Sequence, residues 1–248
     1  MSVLIIWLCY SHHRGNNSLV KLLRGAYPIL LSGYFYSETF FYNKLLLKDI
    51  DPILINADEV IFGFQPSVEF SSVFSSLLWS EIMYFSYFSF YLIIFAFVLY
   101  VFFKRRSFFA EAIFRLSFSL YFFYLFFSFI PSAGPQFYFN SPENSLPEAY
   151  FFNHVMHFIQ DMAEQPTGAF PSSHVGVSII IVWLSYKKAA SFFKLLWPVV
   201  LLLIFSTVYI KAHYVVDVIG GLFIAPFILY LSNISYRFSA QFDSSTGK

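Results

Sequence analysis

The strongest constraint on the fold of this chain is a series of long apolar segments. A helix that crosses a bilayer needs about 20 mostly apolar residues, because the hydrocarbon core is about 30 Å thick. Six segments approach that length, at residues 26–42, 80–103, 108–130, 173–186, 193–210 and 214–233. They predict an all-α polytopic membrane protein whose core is a bundle of six transmembrane helices.

The composition agrees with a membrane location. Hydrophobic residues make up 58% of the chain and charged residues 12%, whereas soluble domains have about 45–50% and about 25%. The few charges cannot cover a water-facing surface, and a net charge of +1 provides no field to attract nucleic acid. The single cysteine, Cys9, excludes a disulfide framework. We therefore expect an integral membrane protein that has no nucleic-acid partner.

The sequence contains no internal repeat and no segment typical of a second, soluble domain. We predict one membrane domain over residues 1–248, with its helical core at about 26–233. Residues 1–25 would be interfacial or cytoplasmic, since residues 1–10 are apolar but too short to span. Residues 234–248 would form a cytoplasmic tail. The more polar stretches 43–73 and 131–171 are predicted as long loops, which in compact domains are usually functional or lid-like.

The basic residues predict the orientation. Most of the 15 Lys and Arg residues fall near the termini or in the connections around 104–107 and 187–194, all on one face of a six-helix bundle. The opposite face has only Lys44, Lys48 and Lys211. Cytoplasmic loops are enriched in Lys and Arg. We therefore expect cytoplasmic termini, with the 43–73 and 131–172 connections on the periplasmic, luminal or extracellular side.

His213 and Asp217 form the first candidate site, at the start of the sixth apolar segment. A spacing of four residues places both side chains on one face of a helix. A carboxylate in that position can accept the imidazole N–H and fix its tautomer, which leaves the other nitrogen to act as nucleophile or base. A structural hydrogen bond between neighbouring helices explains the same pair.

The second candidate site is the sequence Pro171-Ser172-Ser173-His174, where the fourth apolar segment begins. Ser172 is a suitable N-cap residue, and the backbone N–H groups of a helix N-terminus favour an anion. An ordinary serine cap beside an interfacial histidine is the alternative. Two histidines, a carboxylate and an anion-binding helix end on one face make phosphoryl transfer possible. Metal binding is the rival use of two His and one Asp, but nothing else nearby completes a metal site.

These sequences resemble motifs of the type 2 phosphatidic acid phosphatase superfamily. Its second motif is usually Pro-Ser-Gly-His, and its third has a histidine followed four residues later by aspartate. Several further segments are similar to its inositol phosphorylceramide synthase-like branch: Ile61-Phe62-Gly63-Phe64-Gln65-Pro66, Pro131-Ser132-Ala133-Gly134-Pro135, Ser206-Thr207, and Tyr214 with the run to Gly220-Gly221. The resemblance covers about residues 26–233.

The resemblance implies a mechanism that needs no metal or other cofactor. His213 would attack phosphorus to form a phosphohistidine, and Asp217 would orient it. His174 would protonate the leaving group and then deprotonate water or an acceptor alcohol. Ser172 and Ser173 would hold the phosphoryl oxygens. The partners would be the membrane, a lipid phosphoester and, in a transfer reaction, a lipid or alcohol acceptor.

The sequence departs from the family pattern in its cations. Thr207 stands where many members have arginine six residues before the nucleophile. Gln136 stands where the first motif leads us to expect another arginine, and it would either donate one neutral hydrogen bond to the phosphate or cap the loop. Lys211 is the remaining cation nearby, either contacting phosphate or snorkelling to the interface. A cation-poor site should bind a dianionic phosphomonoester poorly, so we expect a phosphodiester lipid, hydrolysed or transferred between lipids. Phosphatidic acid-type monoester hydrolysis and a catalytically silent lipid-binding relative are the alternatives.

Two other groups of polar residues have simpler explanations. His154, His157, Asp161 and Glu164 are spaced for one face of a short helix, either a lid over the site or an interfacial helix with solvated polar side chains. Glu111 and Arg115 are four residues apart, which predicts an intramembrane salt bridge. A transporter is disfavoured, because no paired broken helices or half-to-half symmetry are evident.

Overall fold

The computed structural model describes residues 17–139, 147–163 and 165–246. The predicted interfacial segment 1–10 and Glu164 lie outside these ranges. Helices and connecting loops account for all of the described chain, without a strand, which confirms the prediction of an all-α protein.

Ten α-helices follow one another along the described chain. They are α1 (Ser18–Tyr42), α2 (Asp51–Phe62), α3 (Pro66–Val73), α4 (Leu77–Lys104), α5 (Phe109–Phe129), α6 (Pro135–Tyr138), α7 (Phe152–Ala163), α8 (Ser173–Lys188), α9 (Ala190–Tyr209) and α10 (Val215–Thr246). A 3-10 turn, Arg106–Phe108, joins α4 to α5.

Local sequence signals explain several helix ends. α1 and α4 begin at Asn17 and Ser76, whose side chains accept the backbone N–H of Leu19 and Trp79, as N-cap residues do. Proline occupies the first turn of α2, α3 and α6, where its missing N–H costs no hydrogen bond. α2 ends at Gly63, whose φ of 78° is left-handed and suits glycine.

Four helical segments are long and apolar enough to cross a bilayer: Leu77–Lys104, Arg106–Phe129, Ala190–Tyr209 and Val215–Gln241. They identify the chain as an integral membrane protein. The other two predicted spans correspond to α1, which contains Lys21, Arg24 and Glu38, and to α8, which has only 16 residues. A crossing by α1 and α8 stays a prediction.

The helices pack around an aromatic core. α1 packs on α5, α9 lies between α4 and α8, and α10 contacts α8 and α5. Phe97, Phe123 and Phe127 are fully buried in this core. Arg115 of α5 forms the predicted ion pair with Glu111, at 2.6 Å, and also donates to Asn233 Oδ1 of α10 at 2.8 Å. The interpretation of these residues as a structural pair is therefore confirmed.

The prediction of a long loop over residues 43–73 is wrong. Most of this stretch folds into α2 and α3. Asp51 and Asp58 are among the acidic residues that make this stretch polar, but both side chains are fully buried. Each carboxylate accepts two backbone N–H groups from other parts of the chain, which compensates for the loss of water. The second polar stretch, 131–171, likewise includes α6 and α7.

Candidate active site

The two candidate motifs meet at one end of a cavity of about 370 Å³. The body of the cavity lies between α1, α4 and α5, where its lining is mostly apolar and aromatic, including Ile29, Leu30, Phe90, Ile94, Leu120 and Tyr124. Its polar end is lined by Gln136, Gln165, Thr167, Ser173, His174 and His213. A largely apolar cavity with a few convergent polar groups is typical of a ligand site.

His213 is held in the short connection between α9 and α10. Its backbone N–H donates to the carbonyl of Thr207 at 3.0 Å, and its Nδ1 lies 2.9 Å from the carbonyl oxygen of Ala169. A carbonyl only accepts hydrogen bonds, so Nδ1 carries the proton in the neutral ring and Nε2 carries the lone pair. This tautomer suits a nucleophile that attacks through Nε2.

Asp217 lies behind His213 and is fully buried. Its Oδ2 is 3.5 Å from His213 Nδ1 and accepts the backbone N–H of Tyr214 at 2.8 Å. The predicted spacing therefore does bring the two side chains together, although the Ala169 carbonyl is the nearer acceptor. The backbone carbonyl of Asp217 also accepts the N–H of Ser172 at 3.0 Å, which ties α10 to the start of α8.

His174 is in the first turn of α8, with its ring centroid 5.6 Å from that of His213. The ring stacks on Tyr87 at 4.6 Å and 25°, and lies against Phe90 at 4.3 Å. Tyr87 and Phe90 are three residues apart on α4, so they present one face of that helix. His174 Nε2 has no hydrogen-bond partner within the described ranges.

The two serines of the second motif have different environments. Ser172 is the N-cap of α8, since its Oγ accepts the N–H of Val175 at 3.3 Å, which confirms the predicted cap. It is fully buried and does not line the cavity. Ser173 does line the cavity. The positive end of the α8 dipole therefore lies beside both histidines, where it favours an anion.

Lys211 is 1% exposed, so the interpretation as a snorkelling interfacial lysine is wrong. Burial also lowers the pKa of its ammonium group. Its side chain is absent from the cavity lining. The backbone of Lys211 has a left-handed φ of 63°, and its carbonyl accepts the N–H of Gln136 at 2.9 Å. Gln136 lines the cavity, and its Oε1 accepts from Gln160 of α7 at 2.8 Å.

Thr207, which occupies the position of a family arginine, is fully buried. Its hydroxyl donates to the carbonyl of Ile204 at 2.7 Å within α9, and its carbonyl accepts from His213. Thr207 therefore supports the loop that carries His213 through its backbone carbonyl.

Two glycines allow the motifs to approach one another. A Cβ on Gly221 of α10 would lie 2.5 Å from the carbonyl oxygen of Ser172, so a side chain there would push α10 away from α8. Gly134 has a φ of 91°, and a Cβ on it would lie 2.7 Å from the carbonyl oxygen of Ala212. The turn before α6 can therefore pack directly against the residue before His213.

Sequence reasoning missed the two buried carboxylates of α2. Asp51 accepts the N–H groups of Ala133 and Gly134 and the hydroxyl of Tyr214, at 2.7, 2.8 and 2.9 Å. Burial raises the pKa of Asp51 to about 7, and the neighbouring Asp49 acts in the same direction. Asp58 accepts the first N–H groups of α10, from Val215 and Val216, and burial raises its pKa as well. Distance along the chain hides both contacts from sequence patterns.

α7 forms the predicted short helix next to the site. At the N-terminus of α7, the backbone N–H groups of residues 150–152 donate to the carboxylate of Glu81 in α4. Met156 of α7 is buried against α4. His154 and His157 are exposed and do not line the cavity. The side chains of Asp161 and Glu164 lie outside the described part of the structure. The exposed histidines favour the interpretation as a helix with solvated polar side chains.

Comparison with known proteins places the site in a family. The family model described as the PAP2 superfamily matches residues 57–231, a range that contains His174, His213 and Asp217. No curated protein and no solved structure matches the chain. Within the described ranges, no group of three or more His, Cys, Asp or Glu residues could hold a metal ion.

Proposed function

This chain belongs to the PAP2 superfamily, and we propose that it is a metal-independent enzyme that cleaves a lipid phosphodiester and transfers its phospho-head group. At the level of the superfamily it is a phosphatase-type lipid enzyme in a membrane. The finer proposal depends mainly on one observation. The two histidines face each other at the polar end of an apolar cavity whose described lining contains no Lys, Arg, Asp or Glu.

The shape of the cavity supports a lipid substrate. Tyr87, which stacks on His174, and Ile94 both line it and are seven residues apart on α4. That separation corresponds to about 10 Å along the helix axis. The apolar part of the cavity therefore continues away from the histidines along a membrane-spanning helix. A phosphoester at the histidines would leave its hydrocarbon chain in this apolar part.

The proposed chemistry has two steps with His213 and His174 in complementary roles. In the first, His213 Nε2 attacks phosphorus, the bond from phosphorus to the leaving alkoxide breaks, and protonated His174 gives that oxygen its proton. In the second, water or an acceptor alcohol attacks the phosphohistidine, gives its proton to His174 and releases His213 Nε2. The Ala169 carbonyl accepts Nδ1–H throughout, and the Asp217 carboxylate 3.5 Å away stabilises the positive ring. Ser173 and the α8 N-terminus stabilise the phosphoryl oxygens.

The absence of cations from the described lining supports the diester over the monoester. A phosphomonoester brings about two negative charges at neutral pH and a diester brings one. One imidazolium and one helix N-terminus balance a single charge more readily than a double one. The anion would also favour the protonated form of His174 when substrate binds. The expected preference for a phosphodiester supports membership of the inositol phosphorylceramide synthase-like branch. So do the sequence segments that resemble this branch, such as residues 61–66 and 131–135.

Packing contacts support six membrane crossings in one domain. α8 starts beside the end of α5, where the Ala169 N–H donates to Ser132, and ends where Lys188 Nζ lies 5.9 Å from the Phe108 ring. It therefore runs alongside the whole of α5 in the opposite direction. α1 runs beside α5 in the same direction, with Gly25 next to Phe109 and the Tyr36 ring 6.3 Å from that of Phe127.

The same alternation supports the orientation. Arg105 and Arg106 lie between α4 and α5, and Lys187 and Lys188 lie in the last turn of α8. All four are therefore at the end of the bundle away from the histidines. By the positive-inside rule that end is cytoplasmic. The active site then opens to the periplasmic, luminal or extracellular side.

A panel of radiolabelled phospholipids tests the function. Purified full-length protein is incubated with phosphatidic acid and with phosphatidylinositol, with and without a lipid alcohol acceptor, beside the His213→Ala and His174→Ala variants. We expect turnover of the diester, more transfer than hydrolysis when acceptor is present, and loss in both variants. Preference for phosphatidic acid would reject the diester, and full activity of His213→Ala would reject the nucleophile.

A further inference from the structure

Asp51 is buried at the junction of three segments that surround the candidate nucleophile. Its two carboxylate oxygens accept the N–H groups of Ala133 and Gly134, and Oδ1 also accepts the hydroxyl of Tyr214. The side chain is fully buried and does not line the cavity. Asp51 therefore does not contact a substrate there, and its effect on the site must pass through its partners.

One connection leads from Asp51 to the ring of His213. Asp51 fixes the turn that contains Ala133 and Gly134, and the preceding carbonyl, that of Ser132, accepts the N–H of Ala169 at 3.1 Å. The carbonyl of the same Ala169 is 2.9 Å from His213 Nδ1. The acceptor that sets the tautomer of His213 is thus attached to the turn that Asp51 holds.

Two further contacts connect the same carboxylate to the His213 loop. The Tyr214 hydroxyl donates to Asp51, while the Tyr214 N–H donates to Asp217 Oδ2. On the other side, Gly134 packs so closely under the carbonyl of Ala212 that it has no room for a Cβ. The residues immediately before and after His213 are therefore both in contact with groups that Asp51 anchors.

We propose that Asp51 is a positioning residue for His213. Its carboxylate holds the 132–134 turn and Tyr214 in the arrangement that keeps the Ala169 carbonyl on Nδ1 and directs Nε2 toward the cavity. This inference rests on the proposed role of His213 as nucleophile. It adds α2, a helix outside the two histidine motifs, to the parts of the chain on which the chemistry depends.

Asp58 provides a matched control on the same helix. It is also fully buried and also accepts two backbone N–H groups. Its partners are Val215 and Val216 at the start of α10, and no described contact of Asp58 leads to Ala169. Replacing either aspartate by asparagine keeps the size of the side chain but leaves one oxygen to accept two backbone N–H groups. The loss of stability from these backbone contacts should therefore be similar in the two variants, and Asp51→Asn additionally disturbs the hydrogen bond from the Tyr214 hydroxyl.

The test measures kcat and KM on radiolabelled phosphatidylinositol with purified full-length protein, together with the unfolding temperature in detergent. For Asp51→Asn we expect kcat to fall about 100-fold, the size of effect that a misplaced catalytic group produces. KM should change by less than about twofold, since uniform substrate binding is retained. Asp58→Asn should keep kcat within about threefold of the wild type at a similar loss of unfolding temperature.

Equal kcat values for Asp51→Asn and Asp58→Asn would overturn the positioning role, whatever their unfolding temperatures. If Asp51→Asn does not yield monodisperse protein, Tyr214→Phe is assayed in the same way, because it removes only one donor to Asp51. Unchanged kcat in that variant would then contradict the proposal. Failure of the proposed function is recognised separately, as absent wild-type turnover or as full activity of His213→Ala.

Discussion

The two histidines at the end of the cavity lie in opposite surroundings. His213 is placed among polar groups, with the Ala169 carbonyl and the Asp217 carboxylate at its Nδ1. The ring of His174 packs against Tyr87 and Phe90, and its Nε2 has no described hydrogen-bond partner. The same side chain is therefore fixed by hydrogen bonds in one case and by aromatic packing in the other.

In the proposed mechanism, this difference explains how one imidazole would act as a nucleophile and the other as an acid and base. A carbonyl and a carboxylate at Nδ1 fix the tautomer and stabilise the positive ring that forms when Nε2 bonds to phosphorus. Packing against Tyr87 and Phe90 restrains the ring plane without fixing a proton, so in the proposed mechanism His174 can exchange protons with the substrate. Pairs of titratable groups in contrasting environments commonly divide the acid and base work of an active site.

The largest expected effect is that of removing the nucleophile. His213→Ala should lower kcat about 1,000-fold or more, as loss of a covalent nucleophile does in well-studied hydrolases. The loss should be equal for lipid substrates and for a nitrophenyl phosphodiester, because attack is required in both. The measurement is initial rate with each substrate. A loss restricted to the lipid would contradict the assignment.

Removal of the acid should have a smaller effect that depends on the leaving group. His174→Ala should lower kcat on phosphatidylinositol about 100- to 10,000-fold, the usual contribution of general acid–base catalysis. A nitrophenolate leaves without a proton, so the nitrophenyl diester should lose much less in its first step. A burst of nitrophenol followed by slow turnover is the expected time course. Absence of a burst, with equal losses in the first step on both substrates, would remove the difference in role between the two histidines.

The aromatic packing around His174 should make a smaller contribution to kcat than either histidine. Tyr87→Leu removes the stacked ring and should lower kcat by about tenfold, since an aromatic pair contributes about 0.5–1.5 kcal/mol beyond its buried area. Tyr87→Phe keeps the ring and serves as the matched control, with kcat expected within about threefold of the wild type. The reverse order, with Tyr87→Phe the more damaging, would indicate that the hydroxyl rather than the ring matters.

Sequence patterns predicted the contacts that are local in the chain. The spacing of His213 and Asp217, the cap at Ser172 and the pair of Glu111 and Arg115 all follow from helix geometry within four residues. The long apolar segments predicted the helices of the bundle for the same reason, since 20 apolar residues have few other stable arrangements in a membrane.

Contacts between distant segments were not predictable in this way. The Ala169 carbonyl that holds His213 is 44 residues away, and a backbone carbonyl leaves no mark on the sequence. Asp51 and Asp58 were interpreted as part of a polar loop, because burial of a carboxylate depends on N–H donors that come from elsewhere in the chain. The burial of Lys211 could not be predicted from its neighbours in the sequence either. The cavity is likewise formed by residues from α1, α4, α5 and the loops that follow.

The smallest expected effect is on the pH dependence of stability. It should depend on Asp51, which lies near His213, and not on Tyr87, which packs against His174. Burial raises the pKa of Asp51 from 3.8 to about 7, so between these values the folded protein keeps a proton that the unfolded chain releases. The contribution of Asp51 to stability therefore falls as the pH rises from about 4 to about 7. Asp51→Asn should reduce the slope of stability against pH. Part of the slope should remain in this variant, because the pKa of Asp58 is raised too.

Unfolding temperatures measured in detergent between pH 4 and pH 7 provide the test, with Tyr87→Phe expected to keep the wild-type slope. Parallel curves for Asp51→Asn and the wild type would show that Asp51 does not titrate in this range.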